Sequence, residues 1–499
     1  MAEIPLVALD HAAAEGLAGD PPAMADRHGL AAFRDTCLKR AALLLMLVAS
    51  SASAQGVRVI DDQRAEIIGI LFRIAGAPDF SGGNVQPYTR QVDSTFLPYR
   101  NHPVFAEINR LRTAYGIALS DVTTMAPQLT DPVTFGERSP IDAPTSTLAR
   151  SWHGAEARVF LAQARDFARV ANVAGFLRAQ QHVYDSATAR AQRLIDTKAR
   201  LDWFTKFFNE PTRDLLIISP LLMSSSGNFA AAFHDGAIHE RYAFLAVPGI
   251  DTAGYPVLHP ETLATLIHEL NHSYINHVVD AVSAQLRPAG ARIFPIVQAE
   301  MSRLAYTRAQ VMFNESVVRA AVIRYLLAND GASAGRAESR VQAGLGFFWI
   351  DELVELLGEY EANRTQYSTF STFMPRLVAY FDDLAPRVTE MRTAYENRRP
   401  RIIKTSIARG AQDVDPTLRA LVLTFDAPVG TSYSFAGNLG DGIPEFTGGS
   451  FDGTRTVFTI GIKLEPGRDY HIPFGPGFVN DDGYPNQRLD LRFHTRNAR

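Results

Sequence analysis

His268-Glu269-Leu270-Asn271-His272 is the stretch of this chain best equipped for chemistry. Residues four apart share one face of a helix, so His268 and His272 can offer ring nitrogens to a single metal ion. Glu269 projects near the same edge. Zinc lowers the pKa of the water it binds to about 7, so a carboxylate placed there can take that water's proton at neutral pH. The flanking Leu263, Leu266, Ile267, Leu270 and Tyr274 form an apolar stripe that would bury such a helix. The pattern alone is weak, because two histidines and a solvated glutamate also meet by chance on helices. It gains weight from a candidate edge strand before it and a candidate third ligand after it.

A catalytic zinc needs three protein donors and an open position. His277 is close in sequence, but on a continuous helix it points about 140° away from His272. No glycine turn intervenes to bring it back. Glu300 is a weaker competitor. The favoured third donor is Glu315, in Asn314-Glu315-Ser316-Val317-Val318-Arg319-Ala320. This segment resembles the Asn-Glu motif of gluzincins, in which the glutamate supplies the third ligand. The gap from His272 is longer here, which implies a helix-to-helix contact with an insertion between. Hydrolysis also needs a group for the tetrahedral oxyanion, and Tyr360, Tyr367, Tyr274 and Arg319 are the candidates. His234, His239 and His259 lie near the expected strands and are possible substrate contacts. There is no Gly-rich phosphate loop and no Gly-x-Ser-x-Gly elbow.

The elements that must position these residues read as mainly helical from Val57 to about Tyr395. Stretches 157–183 and 187–208 have the pattern of long amphipathic helices, and 129–150 that of a Thr/Pro/Ser-rich loop. After Pro211, three short apolar runs (Leu215–Ile218, Asn228–Phe233 and Tyr242–Val247) suggest a small sheet. One of its strands could pair with an extended peptide. The histidine helix should begin near His259-Pro260-Glu261-Thr262 and run to about Val282, followed by helices at 297–328, 349–366 and 372–395. At Arg398-Arg399-Pro400 the pattern changes to short strands separated by turns such as Asp452-Gly453 and Glu465-Pro466-Gly467, which predicts a β-sandwich.

With 499 residues, more than one domain is expected. Hydrophobic residues make up 46% and charged residues 20%, an ordinary globular balance. The formal net charge of -4 gives no reason to expect nucleic acid as a partner. Near the N-terminus, Lys39-Arg40, the apolar run Ala41–Ala49 and the small-residue pattern Ala52-Ser53-Ala54 read as a signal peptide cleaved after Ala54. Met24 is an alternative start. Cys37, the single cysteine, precedes the apolar run, so the mature chain would hold neither disulfide nor thiolate ligand. No later stretch approaches the roughly twenty apolar residues of a membrane span. The expected location is therefore periplasmic or extracellular.

The core also resembles a secreted bacterial family, known chiefly as a domain of unknown function, with gluzincin-like features. The resemblance spans about 60–385 and rests on His268–His272 with Tyr274 and Asn276, on Asn314–Ala320, and on Tyr360-Glu361-Ala362-Asn363-Arg364 leading to Tyr367 and Phe373-Met374-Pro375. It implies a peptidase with zinc held by His268, His272 and Glu315 and with Glu269 as the catalyst; it supplies no particular substrate, and a peptide or protein is the partner expected of such chemistry. The last hundred residues resemble a bacterial Ig-like domain of the S-layer type, through Asp413-Val414-Asp415-Pro416, Leu464–Tyr470 and Phe493-His494-Thr495. Such modules serve as spacers or binding domains, so cell wall or glycan is the expected contact. The fold expected is thus α+β: a signal region over 1–54, a mainly helical zincin-like metallopeptidase core with a small sheet over 55–397, and an all-β Ig-like sandwich over 398–499. The competing reading is a secreted, non-catalytic binding protein built on a degenerate core of the same kind.

Overall fold

A computed structural model describes residues 58–497, apart from 144–145, 211–214, 219–220, 222–226, 237, 259–261 and 436–441. The signal-peptide reading, Met24, Cys37 and His259-Pro260-Glu261 lie outside the described residues.

The fold is α+β. A four-stranded sheet in the order β1-β2-β4-β3 lies at its centre, made of β1 (Arg58–Ile60), β2 (Leu215–Ile218), β3 (Phe229–Asp235) and β4 (Ile238–Phe244). β1 and β4 both run parallel to β2, whereas β3 is the antiparallel edge strand, with Ala231 opposite Tyr242. The β3–β4 hairpin turns through Gly236, whose φ of 56° suits a residue without a side chain. Side chains alternate across a strand, so this sheet serves two cores. Tyr242, Phe244, Ala231 and Phe233 pack with the N-terminal helices, while Ala243 and Leu245 pack against the helix Thr262–Ala281. The histidine helix is thereby pressed onto the sheet beside its edge.

Several helix boundaries differ from the sequence-based expectation, each for a local reason. The first long pair is instead Gly154–Val170, Val173–Lys198 and Asp202–Phe208. The chain breaks at Asn172, which adopts φ 50° and caps the second helix by accepting from the Gly175 N–H at 3.3 Å. The expected helix at 297–328 is two helices, Ser283–Arg303 and Ala309–Asn329, divided at 304–308. The last expected helix is also split, into Phe370–Leu384 and Val388–Arg398. A further helix, Gly331–Gly344, was not anticipated.

After a short hairpin of β5 (Gly249–Ile250) and β6 (Pro256–Val257), the remaining strands lie beyond Arg398, where the chain is β-structured. A four-stranded antiparallel sheet ordered β7 (Ile402–Thr405), β8 (Ala420–Phe425), β10 (Val457–Lys463), β9 (Glu445–Phe451) shares one apolar cluster with the hairpin β11 (Asp469–Phe474)–β12 (Leu489–His494). This module is fastened to the helical part. Tyr484 is buried in the helical core cluster, its hydroxyl accepting from Arg398 Nη1 at 2.8 Å, and Arg399 Nη2 donates to the Asn486 carbonyl at 2.6 Å.

The N-terminal core holds a buried acid with a consequence for stability. Glu66 accepts from the Leu221 N–H and from the Tyr88 hydroxyl at 3.3 Å. Burial pushes its carboxyl from 4.5 up to about 8, against the effect of the Leu221 hydrogen bond. The folded protein therefore keeps a proton that the unfolded chain has released. The associated stability is complete below pH 4.5 and is lost as pH rises through about 8. Glu66→Gln should melt like the wild type at pH 4.5 and be the more stable protein at pH 8, by on the order of 2 kcal/mol or more. Some slope should persist in the variant, because burial also raises Asp61 to about 7. Melting curves across this range check the point, and parallel curves for the two proteins would refute it.

Candidate metal centre

The histidine helix brings His268 and His272 together because they are one turn apart on its inner face. Their Nε2 atoms lie 3.1 Å apart, with the rings nearly perpendicular. Glu315, from the helix Ala309–Asn329, completes the group. Its Oε1 is 3.4 Å from His272 Nε2, and its Oε2 is 3.6 Å from His268 Nε2. Among the described residues, these three are the group of His, Cys, Asp and Glu side chains able to hold a metal ion. Solvent still reaches the site, since 22% of the His268 side chain is exposed.

Two clamps set this geometry. Asp280 Oδ1 accepts from Asn314 Nδ2 at 3.0 Å and from Gln310 Nε2 at 2.8 Å, so the two helices are tied together two turns beyond His272. Asn314, the residue before the third donor, thus fixes helix register. Asn276, one turn after His272, faces His272 Nδ1 at 3.1 Å. With its Oδ1 accepting the Nδ1 proton, Nε2 is the nitrogen left facing the group.

The electrostatics are those of donors crowded out of water. Burial holds His268 neutral, pushing it down to about 3. Burial acts against charge on His272, but the hydrogen bond and charge of Glu315, with Glu269 and Asn276, together outweigh it and raise that imidazole to about 9. Glu315 stays ionised well below the ordinary carboxylate range, because His272 and Arg319 overcome the cost of its burial. Burial pushes Glu269, next to His268 and 8% exposed, up to about 7. Its carboxyl is therefore poised to hold or release a proton near neutrality.

The other sequence candidates are placed elsewhere. Arg319 lies behind Glu315, bonded to its Oε2 at 3.0 Å, and does not face an open site. Tyr360 is fully buried among Phe207, Phe370 and Phe373, with the Arg364 guanidinium 3.9 Å from its ring centroid. Tyr367 packs edge-on against Phe373, and its hydroxyl accepts from Gln366 at 3.0 Å. Tyr274 stacks on Phe208 at 4.5 Å beneath Arg241. These three tyrosines are packed into an aromatic core. Glu300 pairs with Arg392 at 2.7 Å, and His277 is exposed, near Glu210 and Arg241. On β3, His234 is exposed, while the Ala232 carbonyl accepts from Thr147 Oγ1 at 2.5 Å, so part of the sheet edge is already occupied. The side chain of His239 is outside the described set.

Sequence reasoning named Asn276 only within the family resemblance and gave it no role, although its place four residues after a metal-ligand candidate was a legible signal. It passed over Tyr306, which lies in the helix break at 304–308 that the apolar pattern conceals.

Comparison with known proteins adds a family. The model described as "Domain of unknown function (DUF4932)" matches residues 66–380, a span that contains the whole candidate site. No curated protein matches the chain. Among solved structures, the crystal structure of the S-layer protein rSbsC(31-844) is similar at 14% identity, covering 46% of this chain and 33% of that one, with a TM-score of 0.16. This chain therefore spans about a third of that protein.

Proposed function

We propose that this chain, which belongs to the DUF4932 family, is a secreted zinc-dependent peptidase whose metal is held by His268, His272 and Glu315. One observation carries the reading. Ligands about 2.0–2.1 Å from a tetrahedral zinc lie roughly 3.3 Å from one another; here the two imidazole nitrogens are 3.1 Å apart, Glu315 Oε1 is 3.4 Å from His272 Nε2, and one ligand atom from each of the three residues lies within 4.8 Å of the others. Two imidazoles and one carboxylate are also a donor set that zinc accepts while leaving a position open.

Zinc bound there would supply an acidified water and polarise a carbonyl. The protein's own groups account for the rest. Asn276 keeps His272 Nε2 facing the group. Glu269 accepts a proton from the attacking water and delivers it to the departing amine, a double task that its raised pKa suits. Peptide bonds are the proposed substrate because the edge strand β3 borders the histidine helix and can align an extended chain at Ala230, short of the Thr147 contact. The C-terminal β-module, by its sequence resemblance, is assigned a role as spacer or as a contact to cell wall or glycan. Among the described residues no helix is long and apolar enough to cross a membrane.

The test is metal analysis of the purified protein, with hydrolysis of a quenched-fluorescent peptide library before and after chelation. One zinc per chain is expected, with activity lost to chelator and restored by zinc. Protein that binds no stoichiometric zinc and cleaves nothing would instead support a non-catalytic binding protein.

A further inference from the structure

Glu315 is surrounded by a second ring of groups that the proposed reaction leaves unused. The Arg319 side chain is only 11% exposed. It donates to Glu315 Oε2 from Nε at 3.1 Å and lies 3.0 Å from it through Nη2. Nη1 donates to Gln342 Oε1 at 2.5 Å and Nη2 to the Tyr306 hydroxyl at 2.8 Å. Phe347 closes the remaining face, with its ring centroid 4.9 Å from the guanidinium carbon. A buried cation engaged on every edge cannot swing toward a substrate, so it acts as a strut.

Tyr306 arrives by a constrained route. After the helix Ser283–Arg303, Ala305 takes φ 63°, a left-handed conformation that alanine adopts only against steric cost. The Ala305 N–H bonds the Ser302 carbonyl at 3.1 Å, and the Tyr306 N–H bonds the Met301 carbonyl at 2.9 Å. This double closure is the form that usually places glycine at the left-handed position. Here the turn sends the tyrosine back against Arg319 and Glu315. Strained backbone of this kind persists where its surroundings hold it in place.

We infer that Arg319 grips Glu315 through Oε2 and Tyr306 braces the guanidinium, both as positioning residues, so that Oε1 is the atom offered to a divalent cation. This rests on the metal reading above and deepens it. A carboxylate gripped on one oxygen donates through the other, which keeps a coordination position free for water and substrate. Outer partners of this type commonly set metal affinity as strongly as the ligands' own orientation does.

Two variants test the inference, with zinc itself as the probe. Tyr306→Phe removes one oxygen from a half-buried loop residue and should raise the zinc Kd about tenfold. Its metal-free melting temperature should match the wild type. Arg319→Lys keeps the charge but loses the fork and should raise the Kd by up to about a hundredfold. In both, the visible absorption of the cobalt-substituted protein should change, because the carboxylate is free to shift on the metal. Zinc affinity and cobalt spectra unaltered in both variants would overturn this inference alone, as would a fall in melting temperature with no change in Kd. A wild-type protein that binds no zinc would overturn the metal reading and this one together. Zinc binding without peptide hydrolysis would remove only the peptidase.

Discussion

Replacing Glu269 with Gln is expected to lower kcat/KM by about a thousandfold while the protein still carries one zinc. The substitution keeps the side chain's volume and its capacity for hydrogen bonding, so the histidine helix should be undisturbed. What it removes is the ability to take up and return a proton. Glu269 is not one of the three converging donors, so metal content has no reason to fall. Metal analysis and steady-state hydrolysis on the same preparation separate the two effects. Activity within tenfold of the wild type would exclude Glu269 as the proton carrier. Loss of zinc would make it a structural prop of the metal group instead.

How much of this was legible beforehand follows from what sequence periodicity encodes. His268, Glu269 and His272 were readable because their relation lies within one helix, where spacing is geometry. Glu315 was readable by type and motif as a donor reaching the histidines from another helix, but what fixes that approach was not. That approach depends on Asp280 meeting Gln310 and Asn314 across two helices, a contact with no local signature. The split at 304–308 was hidden because apolar residues recur on both sides of it. Tyr306 therefore went unnoticed. The packing of Tyr360 and Tyr367 was hidden for a related reason: polarity and motif position gave them a chemical look, while Phe370 and Phe373 hold them in a core. Strand β1 is three residues long, too short for alternation to register, and only its parallel pairing with β2 makes it a strand. By contrast β2 and β3 were anticipated within a few residues, because alternating or continuous apolar runs bounded by turn residues leave few other readings.

Glu315 and Arg319 are also expected to yield the largest change in stability. Both are almost fully enclosed, and each charge is tolerated because the other is beside it at 3.0 Å. Glu315→Leu keeps a similar volume but strands the guanidinium in a site that water cannot fill. Breaking such a pair from one side costs about 3–5 kcal/mol, far more than the net worth of the intact pair. The double variant Glu315→Leu/Arg319→Met removes both charges and should regain most of that loss. A residue of about 1 kcal/mol should remain, since Gln342 Oε1 loses its donor. Zinc binding should be impaired in the single and double variants alike, because the third donor is absent from both. Urea unfolding in the presence of chelator isolates the fold's own energetics, and zinc titration of the same proteins isolates the site's. A Glu315→Leu protein as stable as the wild type would mean that Arg319 finds water or another anion when its partner is gone, and the enclosed pair on which the second ring is built would not exist.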